Sequence, residues 1–262
     1  MSPHQSATAK IDTAYDSPLP LLVLDFDGTV CQGDGPVNAY AKAAARRLPT
    51  GFSQPLLDAL QRFLDNEPGS RAYPDGYAAV QDLFGSHLPA DQLSAAFAES
   101  RQRMAAGKVE IAPAPGLPGF LDSLSGSVLR VLVTNAPPTG VLESIRTLGL
   151  EKLIDVVTPN AGKPDGFRTL LPRMLRHRSR RRILSVGDIW ENDIRLPLAA
   201  GCATAYIDRF NYPSGPSNLR GPDFPDLYPG ITAWAENPDR FHEDYPAWPS
   251  EVARDAQGAT RA

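Results

Sequence analysis

Leu19-Pro20-Leu21-Leu22-Val23-Leu24-Asp25-Phe26-Asp27-Gly28-Thr29 runs from an apolar stretch straight into two aspartates and a glycine. A segment apolar on both faces suits a parallel strand covered on both sides; a strand with one wet face would alternate. The carboxylates then fall at the strand's carboxyl end, and Gly28 permits the tight turn that follows. The pattern recurs downstream. Residues 128–133 lead into Thr134-Asn135, 154–157 form a weaker run, 182–186 lead into Gly187-Asp188, and 203–207 end at Asp208. Helical periodicity fills the intervals 116–125, 139–148, 165–177 and 191–200. Alternating strand and helix predicts right-handed crossovers and an α/β fold with a Rossmann-like, doubly wound parallel sheet. Ligands of such sheets bind beyond the carboxyl ends of the strands. Asp25, Asp27, Thr134, Asn135 and Asp188 gather there.

The interval 31–112 reads differently. It carries no strand pattern but four amphipathic helices, near 36–48, 53–65, 75–86 and 90–106. Ala41, Ala44, Ala45 and Leu48 mark one apolar stripe, and Leu56, Leu57, Leu60 and Leu64 another. Breaks fall at Pro49-Thr50-Gly51, Pro68-Gly69-Ser70 and Leu88-Pro89. The expected organisation is a disordered leader over 1–18 and a core over 19–30 and 113–239. An all-helical insertion occupies 31–112, and an irregular, proline-rich tail 240–262. A last strand and a short helix, Ile231 to Glu236, are expected within 222–237.

Composition narrows the function. A net charge of −4 over 262 residues argues against bulk attraction to nucleic acid or to an anionic membrane. The first residues lack the apolar core of a signal peptide, and no stretch is long enough to cross a bilayer, so a cytoplasmic protein is expected. Cys31 and Cys202 lie in no redox or metal motif and read as reduced thiols. His4, His87, His177 and His242 show no ligand spacing and read as surface residues. The run Arg176-His177-Arg178-Ser179-Arg180-Arg181-Arg182 reads as a solvated helix end, where cations suit the dipole. In the helical insertion Arg71, Tyr73, Arg101 and Arg103 read as ordinary helix-surface residues.

Two aspartates at the tip of a buried strand are costly without a metal or a chemical task. One carboxylate can act as a nucleophile and the other as a general acid. Downstream, Thr134 offers a hydroxyl, Lys163 in Gly162-Lys163-Pro164-Asp165-Gly166 a point charge, and Gly187-Asp188-Ile189-Trp190-Glu191-Asn192-Asp193 two further carboxylates. Asp25 and Asp188 together would form an oxygen-rich site for a hard divalent ion.

Asp25-x-Asp27-x-Thr29, Thr134, Lys163 and Gly187-Asp188-x-x-x-x-Asp193, in this order, resemble the four motifs of the haloacid dehalogenase (HAD) superfamily. The resemblance spans residues 20–237, with 31–112 in the place of a C1 helical cap. It implies that Asp25 is the nucleophile and that Asp27 is the general acid and base. Mg²⁺ would be held by Asp25, the Asp27 carbonyl and Asp188, with Asp193 supporting the metal's waters and Lys163. Thr134, Asn135 and Lys163 would hold the substrate phosphoryl group. Cys31–Pro36 would be the hinge of the cap. The reaction implied is hydrolysis of a small phosphorylated metabolite. The dehalogenating branch lacks an aspartate at the position of Asp27, which favours phosphate over halide. A phosphomutase, a 2-haloacid dehalogenase and a non-catalytic binding protein are the alternatives. Two local departures stand out, Ala136-Pro137-Pro138 after Asn135 and Ile189-Trp190 after Asp188. No motif specifies an oligomeric state.

Overall fold

The structure is a computed structural model that describes residues 15–247. Its centre is a six-stranded sheet with order β5-β4-β1-β6-β7-β8. The strands are β1 (Leu21–Leu24), β4 (Leu129–Val133), β5 (Val156–Thr158), β6 (Ile183–Gly187), β7 (Ala203–Ile207) and β8 (Leu219–Gly221). Every pairing between neighbours is parallel. All four residues of β1 are buried, as the doubly apolar run requires. In register, Leu24 lies beside Leu132 of β4 and Val186 of β6. Asp25 extends the ladder by one bond, its amide donating to the Val186 carbonyl at 3.0 Å. The first acidic residue therefore leaves the sheet between Thr134 and Asp188, each at the end of a flanking strand.

One face of the sheet packs Leu21, Val23, Val131, Val133 and Ile183 against Phe167 and Met174. The last two come from the helix Phe167–Met174, which carries Pro172 inside it. Burying each such side chain contributes about 1.5–3 kcal/mol, so this contact holds the crossover carrying Lys163 against the sheet. Tyr15 joins the same cluster, inside the stretch read as a disordered leader. Residues 1–14 of that stretch lie outside the described residues, as does the tail beyond 247. The tail reading meets a helix at its start, Pro238–Asp244.

Arg178 departs from the solvated reading of its basic run. It is buried, and its guanidinium donates to the carbonyls of Leu19 at 3.0 Å, Met174 at 2.7 Å and Tyr15 at 3.3 Å, and to that of Ser17. Five fixed donors suit a buried cluster of carbonyls. His242 is half-buried rather than a surface residue. Both cysteines are buried and unbridged, and burial pushes the Cys202 thiol up to about 12.

The chain divides into two units, one holding the sheet and the other comprising Gln32–Ala112 and Pro137–Leu148. The second unit contains α1 (Gly35–Ala45), α2 (Gln54–Leu64), α3 (Gly76–Gly85) and α4 (Ala90–Ala105), joined by the helix Pro138–Thr147. The Asp75 carboxylate caps α3 by accepting from the Ala78 amide at 2.6 Å. Tyr40, Tyr77 and Phe97 pack edge-on or stacked at the centre, where Arg101 is buried over the Tyr77 and Phe97 rings. Arg101 is thus a core residue and not the helix-surface residue its sequence suggests. At the passages between units, β2 (Cys31–Gln32) and β3 (Ala112–Pro113) form a two-stranded ribbon too short to leave a periodicity.

No helix of the described residues is long and apolar enough to cross a membrane.

Candidate active site

The turn after β1 is closed by backbone bonds: Cys31 N–H donates to Phe26 at 2.8 Å and Gly28 N–H to Cys31 at 2.9 Å. Gly28 has φ of +84°, a region open mainly to glycine. A Cβ there would lie 2.1 Å from Asp188 Oδ2. The absent side chain is what lets the Asp188 carboxylate approach the turn. Gly28→Ala is therefore expected to displace Asp188 and weaken divalent-cation binding ~10–100-fold, the usual cost of disturbing a ligand's support. Calorimetric titration with Mg²⁺ measures this; an unchanged affinity would show that Asp188 does not need the contact.

Asp25, Asp188 and Asp193 present carboxylate oxygens that all lie within 4.8 Å of one another. Lys163 reaches the cluster from the loop before the helix Phe167–Met174. Its Nζ donates to Asp25 Oδ1 at 2.6 Å and to Asp193 Oδ1 at 2.5 Å, and all three groups are buried. Burial alone would lower the lysine's pKa, but Asp193 and Asp25 outweigh it and hold the ammonium above the usual lysine range. Burial likewise pushes Asp25 up, to about 7; Lys163 opposes this, and the like charges of Asp193 and Asp27 add to it. Three carboxylates against one ammonium leave an excess of negative charge that a divalent cation would balance. An all-oxygen donor set suits a hard ion such as Mg²⁺, so the residues present could hold one.

Asp193 is committed on both oxygens. Oδ2 accepts from the Ile189 amide at 3.1 Å while Oδ1 holds Lys163. Its own carbonyl accepts from Ser185 Oγ at 2.8 Å. Its geometry is that of a brace for Lys163 and the 188–193 loop. Ser185 belongs to no motif, yet a lone hydroxyl inside the buried run Ile183-Leu184-Ser185-Val186 is a signal that some polar group must be met there.

Thr134 is buried and its Oγ1 accepts from the Ala136 amide at 3.1 Å, leaving the hydroxyl proton to donate elsewhere. Asn135, expected to touch substrate, spends its amide on Lys163. Nδ2 donates to the Lys163 carbonyl at 2.9 Å, and Oδ1 accepts from the Lys163 amide at 2.6 Å. This two-point hold fixes the backbone of the lysine whose ammonium meets Asp25. Asp27 is half-exposed, two residues beyond Asp25.

Trp190 opens a π-helix, Trp190–Ile194, that carries Asp193. Such turns are rare and occur mostly at functional sites. The indole Nε1 donates to the Pro216 carbonyl at 3.1 Å, and a Cβ on Gly215 would lie 1.9 Å from the ring. Trp190 therefore packs on the 215–216 backbone. That loop is in turn pinned by Arg220, which donates to Asp208 at 3.0 Å, Ser214 Oγ at 2.9 Å and the Tyr212 carbonyl at 3.0 Å.

Neither a family model nor a curated protein matches the sequence. Solved structures do match. A predicted phosphoglycolate phosphatase from Haemophilus somnus 129PT is 19% identical with a TM-score of 0.57, covering 82% of this chain and 99% of its own. YfnB from Bacillus subtilis, described as a HAD-hydrolase bound to magnesium, is 16% identical with a TM-score of 0.54, covering 82% and 100%. A 2-haloacid dehalogenase from Pseudomonas syringae pv. tomato DC3000 is 18% identical with a TM-score of 0.50, covering 82% and 98%. The parallel sheet, the helical insertion after β1 and these neighbours show that the chain has the fold of the HAD-like hydrolases.

Proposed function

We propose that the chain is a Mg²⁺-dependent phosphatase that hydrolyses a small phosphorylated metabolite through an aspartyl-phosphate on Asp25. The observation that carries this reading is the buried Lys163 ammonium shared between Asp25 and Asp193, beside Asp188. A nucleophilic carboxylate approaching an anionic phosphate needs positive charge at the point of attack. When bound, Mg²⁺ on Asp25, Asp188 and the Asp27 carbonyl would supply part of that charge. The chain supplies the rest. An Asp25 oxygen attacks phosphorus as the ester P–O bond breaks, and Asp27 gives its proton to the departing oxygen. Asp27 then takes a proton from water, which attacks phosphorus, releases phosphate and restores Asp25. Lys163 and the Thr134 hydroxyl hold the transferring group, and Asn135 and Asp193 hold Lys163.

Asp27 favours a phosphate ester over a 2-haloacid, because a departing halide needs no proton. A panel of small phosphate monoesters with and without Mg²⁺ tests the proposal. Metal-dependent release of inorganic phosphate is expected. Halide release from 2-haloacids, or phosphoryl return to a sugar with no net phosphate, would replace it.

The raised pKa of Asp25 also sets how metal binding follows pH. A cation competes with the proton on that carboxylate, so affinity is full above about pH 7. Below that it is expected to fall about tenfold per pH unit, because each bound cation displaces one proton. Calorimetric titrations with Mg²⁺ from pH 8 to pH 5 read this directly; a flat profile would mean that Asp25 is not a ligand.

A further inference from the structure

Within the helical unit, a concavity of about 480 Å³ lies between α1, the end of α4 and the return segment 108–112. That volume falls in the range of small-molecule sites, ~300–1,000 Å³. Its walls carry Lys42 and Arg46 of α1, Arg103 of α4 and Lys108 just beyond it. Arg46 turns to Glu99, and in the same unit Arg47 and Arg71 also find carboxylates. Among the described residues no ion pair joins Lys42, Arg103 or Lys108 to a carboxylate. Asp34 and Glu110 line the wall too, but the cations outnumber them, in a chain whose net charge is −4.

Like charges around a concave surface repel, and low-dielectric walls focus their field. A ligand with several negative groups relieves that repulsion; a neutral one does not. The space is larger than one phosphate group needs, and it is a single pocket rather than a stripe that could track a nucleic-acid backbone. We propose that this concavity binds a small polyanion, with carboxylate or phosphate groups against Lys42, Arg103 and Lys108. The site is built from residues separate from Asp25, Lys163, Asp188 and Asp193.

Calorimetry on the full chain in EDTA tests it, with citrate and tripolyphosphate as the probes. Saturable binding of at least one probe is expected, weakening about tenfold or more between 50 and 200 mM salt as exposed charges are screened. The surface double variant Lys42→Ser/Arg103→Ser is expected to lose at least about tenfold in affinity, as two of the three cations are gone. Asp25→Asn should leave binding unchanged, since Asp25 is not among the residues that line the concavity. Citrate binding alone identifies a carboxylate ligand, and tripolyphosphate alone a phosphate-bearing one. Absence of saturable binding by either probe, equal affinity in the double variant, or loss of binding in Asp25→Asn would overturn the proposal.

Discussion

Asp25→Asn is expected to lower phosphate release by ~10⁴-fold or more while leaving the protein folded. An amide has neither the charge nor the nucleophilicity that attack on phosphorus requires, and losing a covalent nucleophile costs on this scale. The change is nearly isosteric, and Lys163 keeps Asp193 as a partner at 2.5 Å, so no buried charge is stranded. Acid quenching during turnover should trap labelled phosphate on the wild-type chain and none on the variant. Turnover within tenfold of wild type would sink the aspartyl-phosphate mechanism, whatever the substrate.

Lys163→Met should have the largest effect on stability. It removes the ammonium that lies 2.6 Å from Asp25 and 2.5 Å from Asp193 and leaves two buried carboxylates facing each other. Breaking a buried pair from one side costs ~3–5 kcal/mol, because the remaining charge has no solvent to return to. The pH dependence has a definite sign. The lysine's pKa is raised, so its contribution is present at all pH values below the ordinary lysine range and is lost only as pH rises through the elevated value. In the variant, the deficit shrinks toward pH 5 as protonation of Asp25, whose pKa is already about 7, removes one uncompensated charge. Urea unfolding in EDTA at pH 5 and pH 8 measures both. Lys163→Arg is not expected to rescue, since a planar fork does not replace a compact point charge. Wild-type stability in Lys163→Met would mean that the ion pair does not hold the strand ends together.

Much of this architecture was legible because burial on both faces leaves a blunt signature. The runs at 19–24, 128–133 and 203–207 each contain a strand of the sheet, 182–186 covers all but the last residue of another, and Asp25 and Asp188, after two of these runs, do converge. The four helices of 31–112 were legible from amphipathic spacing. The residues that escaped did so for physical reasons. Two-residue strands such as Cys31–Gln32 have no period to detect. The last strand lies at Leu219–Gly221, before the expected window, on an arginine-containing stretch that burial does not make apolar. Arg178 and Arg101 look like surface cations because sequence reports charge, while their burial depends on carbonyls and rings brought in from elsewhere. For Asn135 the family resemblance implies a substrate contact, and its amide also holds the backbone of a residue 28 positions away, which no spacing in the sequence displays. That partnership exists only after the sheet forms.

The place of β1 in the sheet also governs how the chain can be made. It precedes every other strand of this sheet in the sequence, yet it lies at the sheet's centre, between strands that end at residues 133 and 187. Its buried apolar residues have no complete cover until synthesis has passed residue 187, and Asp25 meets both Lys163 and Asp193 only after residue 193 has followed. Long-range parallel pairing of this kind makes folding slow and leaves the early strand exposed to misassociation. A nascent chain that stops short of residue 187 therefore holds Asp25 but lacks its β6 neighbour, so the carboxylate cluster around Lys163 forms only after β6 and the 188–193 loop have followed.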